Sequence, residues 1–211
     1  MTENTHNIDI ESGIKLPVME EFYSLQGEGY NTGEAAYFVR IGGCDVGCHF
    51  CDVKEAWNAA LFSPVDVREV IERIQGEAAK AVVVTGGEPL LYNLNYFCSL
   101  LKQNNIKTFL ETSGTERFSG DWDWICISPK RNAETLPVFY EKANELKVII
   151  ESTEDFERAE RYAGKVSENC RLYLQPEWSV AKTMTQPIVE YILRNPQWKL
   201  SLQTHKFINI P

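Results

Sequence analysis

The chain has 211 residues, 44% of them apolar, and carries a formal charge of −9 from 30 acidic against 21 basic residues. That length suits one domain, expected over 1–211, with a substantial core; with Lys and Arg scattered, nucleic-acid and membrane partners are excluded and a small-molecule substrate is expected. The opening stretch has neither a basic n-region nor an apolar h-region, and no run of about 18 apolar residues follows, so a cytoplasmic protein is expected whose six cysteines are metal ligands or buried thiols.

After a polar lead, apolar runs suited to strands covered on both faces occur at 35–41, 81–85, 106–112, 124–128, 146–151, 171–175 and 199–203. Amphipathic stretches separate them. Val67, Val70, Ile71 and Ile74 keep helical spacing, with Ser63, Pro64 and Asp66 suited to N-cap, N1 and N3, so a helix is predicted to start near Ser63. A second runs from Ser152, three residues before Asp155, to a stop at Gly164. A third carries Ile188, Val189, Ile192 and Leu193. The alternation predicts an α/β fold with a mostly parallel sheet, open or curled into a barrel. No repeat, low-complexity tract or flexible linker offers a boundary for a second domain.

Between the first two of these strands lies "GGCDVGCHFCDV" (42–53), with Cys44, Cys48 and Cys51 in a C-x3-C-x2-C spacing. Structural zinc takes four protein ligands, a second CxxC pair is missing, and His49, wedged between two cysteines, is poorly placed as the fourth. A four-iron cluster on three cysteines leaves one iron free to bind a substrate or cofactor. A second motif, "TGGEPLL" (85–91), follows a strand; its Gly86–Gly87 pair permits close backbone approach, and the Glu88 carboxylate can accept from an ammonium group.

These two motifs together, with the aromatic Phe50 just before the last cysteine, resemble the radical S-adenosylmethionine superfamily. The resemblance implies a single [4Fe-4S] cluster on Cys44, Cys48 and Cys51, and S-adenosylmethionine held near Phe50, Cys51 and Asp52. Gly86, Gly87 and Glu88 would bind its methionyl end. Three further stretches, "EEFYSLQGEGYNTGEAAYFVRIGGC", "ETSGT" with "SPK", and "LSLQTHKFINIP", are similar to the ring-contracting 7-carboxy-7-deazaguanine synthase family. That similarity runs from about residue 18 to the last residue.

The family resemblance implies an incomplete, shortened (β/α) barrel, a homodimer, and a flavodoxin or ferredoxin as electron donor. The substrate would be 6-carboxy-5,6,7,8-tetrahydropterin, converted with loss of ammonia, in queuosine or 7-deazapurine biosynthesis. It places Leu25, Gln26, Gly27, Arg40 and Thr112 at the substrate. His205 would orient or bind it, together with the terminal carboxylate of Pro211. Gly114, Ser128, Pro129 and Lys130 would line the cofactor, and Gln175 and Glu177 its adenosine portion. A carboxylated pterin also needs partners for its amide-guanidine edge, which Gln26 and Glu28 can supply, and a cation for its carboxylate, which Arg40 can supply.

One departure concerns magnesium. Family members often carry Thr or Ser directly after the CxxCD run, where Val53 stands here and cannot coordinate; either the ion binds through substrate and water or the site is metal-free. Cys98, Cys126 and Cys170 are expected to be buried thiols. Two rival readings use the same cysteine loop: a glycyl-radical-type activating enzyme acting on a protein partner, and a non-catalytic metal module.

Overall fold

The computed structural model describes residues 8–211. Its main sheet has eight strands: β2 (Val18–Leu25), β3 (Ala35–Ile41), β5 (Ala81–Gly86), β6 (Lys107–Thr112), β7 (Trp124–Ile127), β8 (Glu145–Ile150), β9 (Arg171–Pro176) and β10 (Trp198–Leu200). They lie side by side in chain order, parallel from β3 to β10, with β2 antiparallel to β3 at one edge. A two-residue strand β1 (Lys15–Leu16) pairs with β4 (Val65–Asp66) outside that sheet. Winding that never reverses is the course of a (β/α) barrel. Among the described residues β2 and β10 are the sheet's ends and share no ladder, so the barrel is incomplete.

The seven runs expected as strands are all strands in the main sheet, because alternating side chains find apolar cover on both faces. Val39, Ile41, Val82, Val84, Leu110 and Ile127 face the larger core, which they share with residues of the helices. On the opposite face Ala36, Phe38, Ala81, Val83 and Phe109 form a smaller cluster, with Phe22 and Trp124 packed against it. That second cluster is the floor of the barrel interior.

The helices covering the sheet are α1 (Val67–Gln75), α2 (Asn95–Gln103), α3 (Pro137–Lys142), α4 (Asp155–Ala163), α5 (Ala181–Arg194) and the short α6 (Thr204–Ile208). Three helix boundaries and one strand boundary differ from expectation. Helix α1 starts at Val67, because Val65 is taken into the pairing with Leu16 and the Asp66 carboxylate caps the Arg68 amide at 2.9 Å. Ser152 does not cap α4; instead the Asp155 side chain accepts from the Glu151 and Ser152 amides at 2.9 and 3.1 Å. Helix α5 begins at Ala181 and carries Pro187 within it. The last run ends as a strand at Leu200, since Ser201 and Gln203 turn inward to bond the β2–β3 loop.

That loop bridges the gap between the sheet's ends. The Thr204 amide donates to the Gly27 carbonyl at 2.9 Å, the Gly29 amide to Ser201 Oγ at 2.9 Å, and Gln203 Nε2 to Glu28 Oε1 at 2.8 Å. Tyr30 stacks on Trp124 with ring centroids 4.6 Å apart.

Candidate active site

At the C-terminal ends of the parallel strands, where α/β barrels hold ligands, a cavity of about 390 Å³ opens. Cys44, Cys48 and Cys51 all line it, on a loop that leaves β3. The loop is anchored from behind: Gly43 and Cys44 donate to the carbonyls of Ala56 and Trp57, and Cys51 to that of Cys48. His49 points elsewhere, its Nε2 at 2.7 Å from Glu151 Oε1, so it is no fourth ligand.

The thiols share this cavity, yet among the described residues no three His, Cys, Asp or Glu side chains converge where one metal ion could sit. A tetrahedral zinc needs its sulfurs about 2.3 Å from one centre. Cysteines that ligate separate irons of a cluster need no such convergence, so the donor set fits a cluster held by three thiolates. Burial raises the Cys44 and Cys48 thiols above their ordinary range, an effect that bound iron must overcome to hold them as thiolates.

The Gly-Gly pair packs against this loop. A Cβ on Gly86 (φ +153°) would lie 2.1 Å from the Ile41 carbonyl oxygen, and one on Gly87 would lie 2.2 Å from that of Gly43. Both glycines line the cavity, and the Glu88 amide donates to the Gly43 carbonyl at 2.8 Å. The Glu88 side chain is buried behind the lining. Its carboxylate accepts from Thr112 Oγ1 at 2.6 Å, from the Ser113 amide at 2.9 Å and from the Leu90 amide at 3.2 Å. It therefore ties the "TGGEP" turn to "ETSGT". Gly114, in the left-handed region with Phe139 and Thr135 against it, and Pro129 also stand behind the lining.

The other candidate residues reach the cavity itself. Phe50, Asp52, Ser128, Lys130, Gln175 and Glu177 line the part near the cysteines and the ends of β7 and β9. Lys130 donates to Ser128 Oγ at 2.8 Å and lies 5.9 Å above the Phe50 ring, and burial lowers its pKa. Leu25, Gln26, Gly27, Glu28, Arg40 and Thr112 line another part, joined by His205 and Pro211. A Cβ on Gly27 would meet His205 Nδ1 at 2.2 Å, so glycine there lets the imidazole in. Arg40 gives its Nε to Glu20 at 2.5 Å, an ion pair at the sheet rim that engages one edge of the guanidinium.

Two charged lining residues, Lys147 and Glu111, were not foreseen from the sequence. Lys147, on β8 and 6% exposed at its side chain, donates to Glu28 Oε2 at 2.7 Å and to Glu111 Oε2 at 2.9 Å. Burial pushes the Glu28 carboxyl up, but the Lys147 charge and the bonds from Lys147, Gln203 and Gln175 outweigh it and hold it at about 2. Lys147 itself is lowered by burial and raised further by Cys126, Glu111 and Glu28, ending well above the usual lysine range. Glu145, bonded to the Tyr30 amide and Trp124 Nε1, is pushed up to about 7 by burial and by Glu111. The signal available was a charged residue at the interior-facing position of an otherwise apolar run, as in "LKVIIE" and "FLET".

The sequence profile of the Radical SAM superfamily matches residues 38–164. A 7-carboxy-7-deazaguanine synthase from Flavobacterium psychrophilum is 53% identical over 97% of both chains. One from Synechocystis sp. is 44% identical over 93% of this chain and 94% of its own. One from Escherichia coli is 35% identical over 93% of this chain and 100% of its own. A crystal structure of QueE from Escherichia coli superimposes with a TM-score of 0.83 at 31% identity, covering 94% of this chain and 98% of that one. With the three-cysteine loop, the glycine pair packed on it and the charged interior in one cavity, the chain belongs to the 7-carboxy-7-deazaguanine synthase family of the radical SAM superfamily.

Proposed function

We propose that this chain is a carbon–nitrogen lyase that converts 6-carboxy-5,6,7,8-tetrahydropterin to 7-carboxy-7-deazaguanine with loss of ammonia, for queuosine or another 7-deazapurine. The observation that carries this is the shared cavity: three cysteine thiols, a half-buried glutamate held ionised by Lys147, and Arg40 all line it. The names of the relatives support the same activity. As part of this proposal the protein is a cytoplasmic homodimer of single-domain chains, reduced by a flavodoxin or ferredoxin.

Cys44, Cys48 and Cys51 would hold the cluster, which together with S-adenosylmethionine would supply radical hydrogen abstraction from the pterin. The chain's residues position the pterin. Glu28, kept ionised by Lys147, accepts from the two parallel N–H groups of the pterin's amide-guanidine edge. Arg40, with its Nε on Glu20, offers its outer amino groups to the substrate carboxylate. Gln26, whose Oε1 accepts from the Glu28 amide at 3.1 Å, fixes the turn that presents Glu28. Because the radical chemistry belongs to the cofactor, changes at these residues should alter placement and binding before any proton transfer.

A polypeptide substrate fits less well, since the interior is furnished with Glu28, Glu111 and Lys147 for a small polar molecule. The test is anaerobic turnover of the reconstituted protein with S-adenosylmethionine, dithionite and the carboxylated tetrahydropterin, followed by mass. Deazaguanine product, absent from a Cys44/Cys48/Cys51→Ala variant, is expected. Cofactor cleavage without that product would refute the substrate and bring the activating-enzyme reading forward.

A further inference from the structure

The cavity's lining beside the cysteines includes Asp52 and Val53, where the resemblance leaves a magnesium ion open. The donor set does not fit one. Val53 offers no oxygen, and the Asp52 carboxylate already holds a cation, with Lys206 Nζ at 2.8 Å from its Oδ2. Magnesium bound through few carboxylates requires them to be free of competing charge, and an ammonium at that distance repels a divalent ion.

An exposed ion pair by itself is worth only about 0–1 kcal/mol, too little to exclude an ion. Lys206 is fixed by more than Asp52. Its Nζ lies 4.9 Å over the Trp178 ring, whose indole meets Phe207 edge-on at 5.5 Å. The helix that carries it is pinned to the β2–β3 loop by the Thr204 amide and hydroxyl, both on the Gly27 carbonyl at 2.9 Å. Moving the ammonium away from Asp52 means breaking the cation–π contact or shifting the helix that seats His205 against Gly27.

We propose that Lys206 is a positioning residue that takes the place of a divalent cation on Asp52, so that this chain binds its carboxylated substrate with side-chain cations alone. The inference rests on the function proposed above, in which the substrate carries a carboxylate. Arg40 then supplies the charge that meets the carboxylate, and Lys206, acting through Asp52, joins the cysteine loop to the C-terminal segment.

The decisive measurement uses Mn2+ as the probe. The cluster-loaded protein is titrated with S-adenosylmethionine present and the cluster oxidised, and free Mn2+ is read by electron paramagnetic resonance. Wild type should take up no more Mn2+ than an Asp52→Asn variant, whereas a Val53→Thr/Lys206→Met variant should gain a one-to-one site that Asp52→Asn removes. A stoichiometric wild-type site lost on Asp52→Asn would overturn the proposal. In parallel, the affinity for 6-carboxypterin should agree within about twofold with and without Mg2+ in wild type, and a gain of about tenfold with Mg2+ would also overturn it. Lys206→Arg should retain the wild-type behaviour. The Mn2+ result needs no turnover, so absence of the deazaguanine product would sink the function while leaving the metal inference decided.

Discussion

Replacing Lys147 by Met removes the ammonium at the centre of the interior while leaving most of its aliphatic stem in place. Glu28 and Glu111, both half-buried, then lose the cation they share. The wild-type Glu28 carboxyl sits at about 2 against an ordinary 4.5, a difference that corresponds to about 3 kcal/mol of stability at neutral pH. Because the folded-state value is depressed, that contribution is fully present above pH 4.5 and is lost as the pH falls through about 2. Urea unfolding at pH 7 should therefore show Lys147→Met destabilised by up to about 3 kcal/mol, the part due to Lys147 and not to the Gln203 and Gln175 bonds that also hold Glu28 ionised. The gap between the two proteins should narrow below pH 4.5. Adding Glu28→Gln to the variant should recover more than half of the loss, since the amide needs no counter-charge. A loss under about 1 kcal/mol at pH 7, or no recovery in the double variant, would refute the assignment of Lys147 as the charge that stabilises this interior.

Glu145 gives the opposite sign: its carboxyl is raised to about 7, so the native protein loses stability as the pH rises from 4.5 through 7, and Glu145→Gln should be more stable by on the order of 2 kcal/mol at pH 8 and near neutral at pH 4. An equal shift at both values in thermal melts would contradict this. Gly87→Ala forces a methyl against the Gly43 carbonyl and should lower the iron retained per chain after reconstitution, with a stability loss of at least about 2 kcal/mol; full iron loading would count against the packing described. Arg40→Lys keeps the charge but loses the planar fork, so KM for the pterin should rise about tenfold while cofactor cleavage without substrate stays unchanged, and an unaltered KM would remove Arg40 from the substrate.

The strands and their parallel order were legible because every apolar run had a uniform reason to be buried on both faces. Strand β2 was not, since Val18–Leu25 is an edge strand in which the adjacent Glu20 and Glu21, and then Ser24, interrupt the apolar residues and no run is continuous. The cysteine loop and the Gly-Gly turn were legible as local patterns, and both reach the cavity. What spacing could not convey is that the glycines are needed first to fit against Gly43 and Ile41, and that Glu88 is occupied by Thr112 and Ser113. Lys147 stayed hidden because its significance lies in meeting Glu28, 119 positions away in the chain, and Glu111 because its own lies in meeting Lys147. Ser63 misled because a good capping sequence competes with a strand pairing to Leu16 that only the tertiary fold reveals.

The bridge between the two ends of the sheet separates architecture from recognition. The ladder from β2 to β10 holds whatever the wall across the gap is made of, and that wall consists of the β2–β3 loop and the segment from Ser201 onward. Gln26, Gly27, Glu28 and His205 all belong to it. A side of the chamber that is stitched by loop bonds and not closed by a ladder owes its shape to side chains and turns alone, so the strand framework does not dictate what it recognises. The same stitching can be rewritten by substitution to suit a different ring system while the cysteine loop and its strand framework stay as they are.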